Sequence, residues 1–150
     1  MKILDGNLIV ELLDKYVDQE KQTGAFSFDL TIRSITQLEG VGRVDFSGKE
    51  FEWGQRSILS PKSFNPGDNH GWWRLAQGEY VIRFNEALTL PENCIAVIHP
   101  LDRIAQNGAH HAPAFIQSSA PYLEVLLAVG RQGIEIKENA RVSSLMIFQF

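Results

Sequence analysis

Residues 22–32 read Gln-Thr-Gly-Ala-Phe-Ser-Phe-Asp-Leu-Thr-Ile, and the hydrophobic period changes inside this stretch. Upstream, Leu8, Ile9, Leu12, Leu13, Tyr16 and Val17 recur at helical spacing, with Glu11, Asp14, Lys15 and Asp18 on the other side. That spacing predicts one substantial helix over residues 7–19, capped by Asp5 or Asn7 and ended by the polar run to Gly24. After Gly24, Phe26, Phe28, Leu30 and Ile32 alternate with Ser27, Asp29 and Thr31, the period of a strand.

The strand period persists downstream. Leu38–Val44 suggests a hairpin around Gly40, and Phe46–Phe51 a further turn. Residues 60–71, SPKSFNPGDNHG, are rich in turn formers and predict an exposed loop. Strands are expected at Glu79–Phe84, with Tyr80, Ile82 and Phe84 on one face, and at Cys94–His99. Leu123–Val129 is apolar on both faces except at Glu124, which suggests a covered strand. Gly133–Ile136 and Val142–Phe150 complete the set. Short strands, Gly/Pro/Asn turns and one helix describe a mostly-β domain: a sandwich, jelly roll or barrel.

Composition narrows the function. The chain has 150 residues, 44% apolar and 21% charged, which excludes disorder, collagen and coiled coil. Its 14 Lys+Arg against 18 Asp+Glu give a net charge of −4, so no electrostatic reason exists to hold nucleic acid or an anionic membrane. Cys94 is alone, which excludes an internal disulfide and zinc sites on paired cysteines; it reads as a small buried hydrophobe. There is no N-terminal apolar h-region and no run of about 18 uncharged apolar residues. The expectation is a single cytoplasmic domain over residues 1–150 that does not enter a membrane.

Few residues carry chemistry on spacing alone. His70, His99, His110 and His111 show no metal-binding spacing and read as surface or interface histidines. Trp72-Trp73 either stacks on a base or sugar or packs beneath the loop. Gly40-Val41-Gly42 is a turn, not a phosphate loop. Asp102-Arg103 lies just after a strand, where a charged pair is usually solvated or ion-paired. Glu124, alone in an apolar run, is either a site residue or an outward edge glutamate; it must be paired, protonated or at an edge.

The order of the pieces resembles the dUTPase/dCTP deaminase superfamily, particularly its archaeal-type members. Gln22 with Phe26-Ser27-Phe28-Asp29-Leu30 is similar to the family's early Q-P-A-[GS]-x-D-L segment, with two extra residues. Gly78-Glu79-Tyr80-Val81-Ile82-Arg83-Phe84-Asn85-Glu86, followed by Leu90-Pro91, resembles its G-x-Y-x-[VL]-x-x-x-E strand and turn. Gly133-Ile134, Asn139-Ala140-Arg141-Val142 and Leu145-Met146-Ile147-Phe148 resemble its ending. The resemblance implies a β-clip, or distorted jelly-roll barrel, with one N-terminal helix, and a homotrimer whose sites lie between subunits. It also implies a deoxynucleotide ligand, with Mg²⁺ only where a nucleoside triphosphate is bound.

The catalytic motifs depart from the family. Its P-R-S-S-L-x-R-x-G falls on Pro100–Gly108: Pro100 and Gly108 are kept, but Leu101, Asp102, Arg103 and Gln106 replace the polar and basic residues that hold phosphates. Asp102 would repel phosphate, while Arg103 could restore one cation. The D-x-G-[YFW]-x-G motif falls on Gln117-Ser118-Ser119-Ala120-Pro121-Tyr122. Gln117 cannot accept a proton at neutral pH, and Tyr122 is the aromatic that would substitute for Ala120. Glu124 lies near the position of the deaminase branch's catalytic glutamate. Structural residues are kept and chemical ones lost. The first expectation is a binding, regulatory or partner subunit with lost or much weakened catalysis. The alternatives are an active dUTP diphosphatase or dCTP deaminase using Arg103, Glu124 and Tyr122, and a β-clip interaction module unrelated to nucleotides.

Overall fold

A computed structural model describes all 150 residues. In chain order, the first elements are β1 (Lys2–Ile3), α1 (Gly6–Glu11), β2 (Leu13–Asp14), α2 (Gln19–Gln22), β3 (Phe28–Leu38) and β4 (Arg56–Leu59). Then come β5 (Trp72–Leu75), β6 (Gly78–Phe84), β7 (Ala87–Leu88), β8 (Cys94–Pro100), α3 (Asp102–Ala105) and β9 (Ala109–His110). The last are β10 (Ala114–Ile116), β11 (Glu124–Val129), β12 (Ile134–Lys137) and β13 (Arg141–Gln149).

One antiparallel sheet dominates, in the order β10-β8-β13-β3-β6-β11-β9, with β1 added on β13 and β4 on β3. β5 and β12 form a separate two-stranded ribbon, and β2 pairs with β7. β3 joins the halves of the large sheet. Its first residues pair with β13, and its later ones run between β6 and β4. A register shift between Ile32 and Ser34 changes the phase of the strand. Phe28, Leu30 and Ile32 are fully buried, and after the shift Ile35 takes over the inward position. The expected inward face of β6 is present too: Tyr80, Ile82 and Phe84 are all buried. Cys94 lies buried at the start of β8, within the same contiguous apolar core.

The mostly-β architecture agrees with the sequence, but several local expectations are corrected. The segment 7–19 is not one helix. Asp5 caps α1 through the amides of Asn7 and Leu8, and the helix ends at Glu11. Lys15 then adopts φ +65°, which no continuing helix allows, and Asp18 caps the separate α2. The hairpin does not turn at Gly40. Glu39 and Gly40 donate to Gln55 O, and Arg43 pairs with Glu52, so the turn lies at 45–50 with Gly48 at φ +82°. β11 is not covered on both faces, since Leu126 is 48% exposed.

Candidate functional site

Three strands bring Asp29, Ser144 and His99 into one row: Ser144 of β13 is opposite Asp29 of β3 on one side and His99 of β8 on the other. Arg141, at the start of β13, places Nη1 3.4 Å from Asp29 Oδ2 and donates to Lys21 O at 2.8 Å. Pro100–Gly108 folds as a strand end followed by α3. Leu101 N donates to Val142 O, Ile104 is buried as the anchor, and Gly108 turns the chain at φ +80°. The anchor leaves Asp102, Arg103 and Gln106 exposed. Burial raises the Asp29 pKa above its ordinary value, while Arg141, Arg103 and His99 pull it the other way. Arg103 and Arg141 also line a cleft of about 990 Å³ between α3 and the β5–β12 ribbon. Its other ionic residues are Arg74, Lys137, Glu135 and Glu138.

A second group forms on β6 and β11. Glu124 is directly opposite Arg83 in register. Arg83 Nε and Nη2 donate to Glu124 Oε1 at 2.9 and 2.8 Å, and its guanidinium lies 3.9 Å from the centre of the Tyr122 ring. The lone glutamate of the apolar run is therefore ion-paired, and the tyrosine ring stacks on its partner. Ser119 Oγ accepts from Leu90 N at 2.9 Å, and Ala120 pairs with Leu88, which fixes the approach to β11. Gln117 and Ser118 are exposed. The hydrogen bonds and ion pairs of Asp29, Arg141 and Ser144 include none of these residues, so within one chain the two groups remain separate.

Two polar centres carry no assigned role in the sequence reading. Glu86 has no exposed surface. Its Oε1 accepts from Gln22 Nε2 at 2.7 Å and from Thr31 Oγ1 at 2.6 Å, and its Oε2 from Thr31 N at 3.0 Å. Both Glu86 and Gln22 stand in the motif segments that carried the resemblance, and that was the available signal. Desolvation raises the Glu86 pKa, although these donors oppose it. His111, expected at the surface or an interface, is buried. Nδ1 lies 2.8 Å from Ala112 O and Nε2 2.8 Å from Ser143 Oγ. The carbonyl makes Nδ1 the protonated nitrogen, so Ser143 donates to Nε2. Ser143 has no exposed surface, so this His–Ser pair is a packing contact rather than a nucleophile and its base.

Mg²⁺, which the resemblance associates with a bound triphosphate, needs hard oxygen donors. No three His, Cys, Asp or Glu side chains come together as a metal-holding group. Asp29 already faces Arg141. These residues do not by themselves make a Mg²⁺ site, whose usual donors are carboxylates together with substrate phosphates.

No protein-family profile matches the chain. It is 30% identical over 139 residues to a protein of Methanosarcina mazei named "Probable deoxyuridine 5'-triphosphate nucleotidohydrolase", covering 91% of this chain and 78% of that one. A protein of the same name from Archaeoglobus fulgidus is 30% identical over 157 aligned residues, covering 99% of this chain and 89% of that one. The fold is similar to that of the 2'-deoxycytidine 5'-triphosphate deaminase from Agrobacterium tumefaciens, with a TM-score of 0.67 over 97% of this chain at 17% identity. This chain spans 48% of that deaminase. Identity sustained along most of both archaeal sequences, on strands that superpose with the deaminase, makes this chain a member of the dUTPase/dCTP deaminase superfamily.

Proposed function

We propose that this protein is a homotrimeric, single-domain, cytoplasmic member of the superfamily that binds deoxynucleoside triphosphates and turns them over weakly or not at all. In this reading it serves as a binding, regulatory or partner subunit. The observation that carries it is the ion pair of Glu124 with Arg83. A general base must be free to take a proton from water, and Oε1 of this carboxylate already accepts two guanidinium N–H groups. Asp102 is exposed beside the cations of the cleft, where it opposes phosphate, and Gln117 offers no base. Arg103, exposed on α3, remains to hold an anion, whereas Arg141 already donates to Lys21 O and faces Asp29. Mg²⁺ would arrive with the phosphates, not on a preformed protein site.

Assembly is supported by the outer face of the large sheet. Ile3, Phe148 and Ile95 form one cross-strand row, and Met146, Val97 and Phe115 another. Phe115 is 68% exposed. An apolar face of this kind on a monomer marks an interaction surface.

The deciding assay is release of dUMP and pyrophosphate from dUTP with Mg²⁺, run beside ammonia release from dCTP. Little over background is expected. An active enzyme is the second reading, favoured by the names of the archaeal relatives. Robust turnover abolished by Arg103→Ala or Glu124→Gln would establish it in place of the first.

A further inference from the structure

We propose that the cavity between β4, β5 and the turn-rich segment joining them binds a small aromatic carboxylate, its ring among Ile58, Phe64 and Trp72 and its carboxylate on Lys62 and Arg74. No residue of the segment between β8 and β9 lines this cavity. The inference therefore stands apart from the nucleotide-binding reading and goes beyond it.

The walls are tied together by the chain itself. Residues 60–71 connect β4 to β5. Lys62 N donates to Trp72 O at 2.9 Å and Trp72 N to Lys62 O at 2.8 Å, which closes the loop on its own base. Trp73 is buried, and its Nε1 donates to Leu59 O at 3.0 Å, so the end of β4 is fixed to β5. Trp72 is half-buried, and its indole stacks on Phe64, with ring centres 5.5 Å apart and planes 6° from parallel. The Trp72-Trp73 pair thus packs beneath the loop, and a site with walls already fixed loses little conformational freedom on binding.

Size and lining select an apolar ring. The cavity measures about 700 Å³, within the range of small-molecule sites. Six of its ten lining residues are hydrophobic, and Phe64, Trp72 and Trp73 among them are aromatic, so a planar ring finds edges and faces to pack on. Ile58 is 71% exposed and Phe64 42%. Covering these two side chains removes apolar surface from water, which favours an occupied cavity.

Charge selects an acid. Lys62 and Arg74 are the ionic residues of the lining, and no carboxylate accompanies them there, on a chain whose net charge is −4. Lys62 takes part in none of the ion pairs of the molecule. The Arg74 guanidinium lies 4.3 Å from the Phe64 ring centre, and its contact with Glu135 is long, 3.9 Å between exposed side chains. A contact of that kind contributes little, so the guanidinium remains a fork for a ligand carboxylate. One ammonium and one guanidinium beside an aromatic wall match a single carboxylate carried on a ring.

The test is calorimetric titration of the intact protein with naphthylacetate and with its uncharged analogue naphthylacetamide, with the indole N–H magnetic resonance signals followed in parallel. Trp53 does not line the cavity and serves as the internal control. Naphthylacetate is expected to shift the Trp72 and Trp73 signals and leave that of Trp53 in place. It should bind at least about 10-fold more tightly than the amide, the worth of a charge-assisted hydrogen bond. Lys62→Met should weaken the acid about 10-fold and leave the amide unchanged, whereas Phe64→Ala should weaken both by about 10-fold. Thermal melts of each variant exclude unfolding as the cause, and Lys62 is exposed, so its replacement spares the core. The inference is overturned if the acid does not bind at about 1 mM, if acid and amide bind equally, if the Trp53 signal alone moves, or if either variant binds the acid normally. Displacement of naphthylacetate by dUTP would also overturn it, because the probe would then occupy a nucleotide site, and the nucleotide reading would stand.

Discussion

Gln22 Nε2 donates at 2.7 Å to Glu86 Oε1, joining α2 to the end of β6 across 64 residues of chain. The same amide donates to Asp29 O, so one buried glutamine links the N-terminal segment, the start of β3 and the turn after β6. Replacing Glu86 by Ala leaves the Thr31 amide and the Gln22 amide short of acceptors inside the protein. A loss of about 2–5 kcal/mol is expected, measured as a lower urea midpoint with unchanged slope. Glu86→Gln keeps one acceptor and should fall between.

His111 sets a pH dependence. Burial pushes its pKa below the ordinary 6.5, so the unfolded chain binds this proton more readily than the folded one. The stability it contributes is present above pH 6.5 and is lost as pH falls through the folded value. Glu86 acts in the opposite sense: its raised pKa means that its contribution declines as pH climbs from about 4.5. Comparing wild type with His111→Gln separates them, because the variant should lose stability less steeply on acidification below pH 6.5. Parallel curves would contradict this assignment.

Two Arg83 nitrogens share the single oxygen Oε1 of Glu124, and both side chains are partly exposed, at 41% and 33%. A double-mutant cycle with Arg83→Met and Glu124→Gln should give a coupling energy of about 0.5–1 kcal/mol, screened by added salt. A markedly larger value would mean that assembly buries the pair.

Phe115 provides the test of assembly. Phe115→Glu puts a carboxylate into the apolar row with Val97 and Met146. Light scattering at micromolar concentration should change from a trimer mass to a monomer mass, with the circular dichroism of the folded chain retained.

The strands were legible because burial on one face imposes alternation, as at Phe28, Leu30 and Ile32 or Tyr80, Ile82 and Phe84. The broken helix was not, because Leu12 and Leu13 keep the helical period through a segment whose backbone turns at Lys15. The alternating reading of β3 ran only to Ile32, where a register shift carries the inward phase to Ile35, and such a shift depends on partners from β6. At the site, Arg103 and Glu124 were visible as charges, but their surroundings were not. The pairing of Glu124 with Arg83 follows from the register of β11 against β6, and the burial of Glu86 from three elements distant in sequence. The stacking of Phe64 on Trp72, with ring centres 5.5 Å apart, depends on how the loop before β5 closes.

Cys94 is the sole thiol and lies 3% exposed inside the sheet. An alkylating reagent can reach it only when the structure around the start of β8 opens, so its modification rate is a chemical clock for that local opening. In the fast-reclosing regime that rate follows the population of the open form. One residue thereby reports, without any added label, how readily this end of the sheet opens.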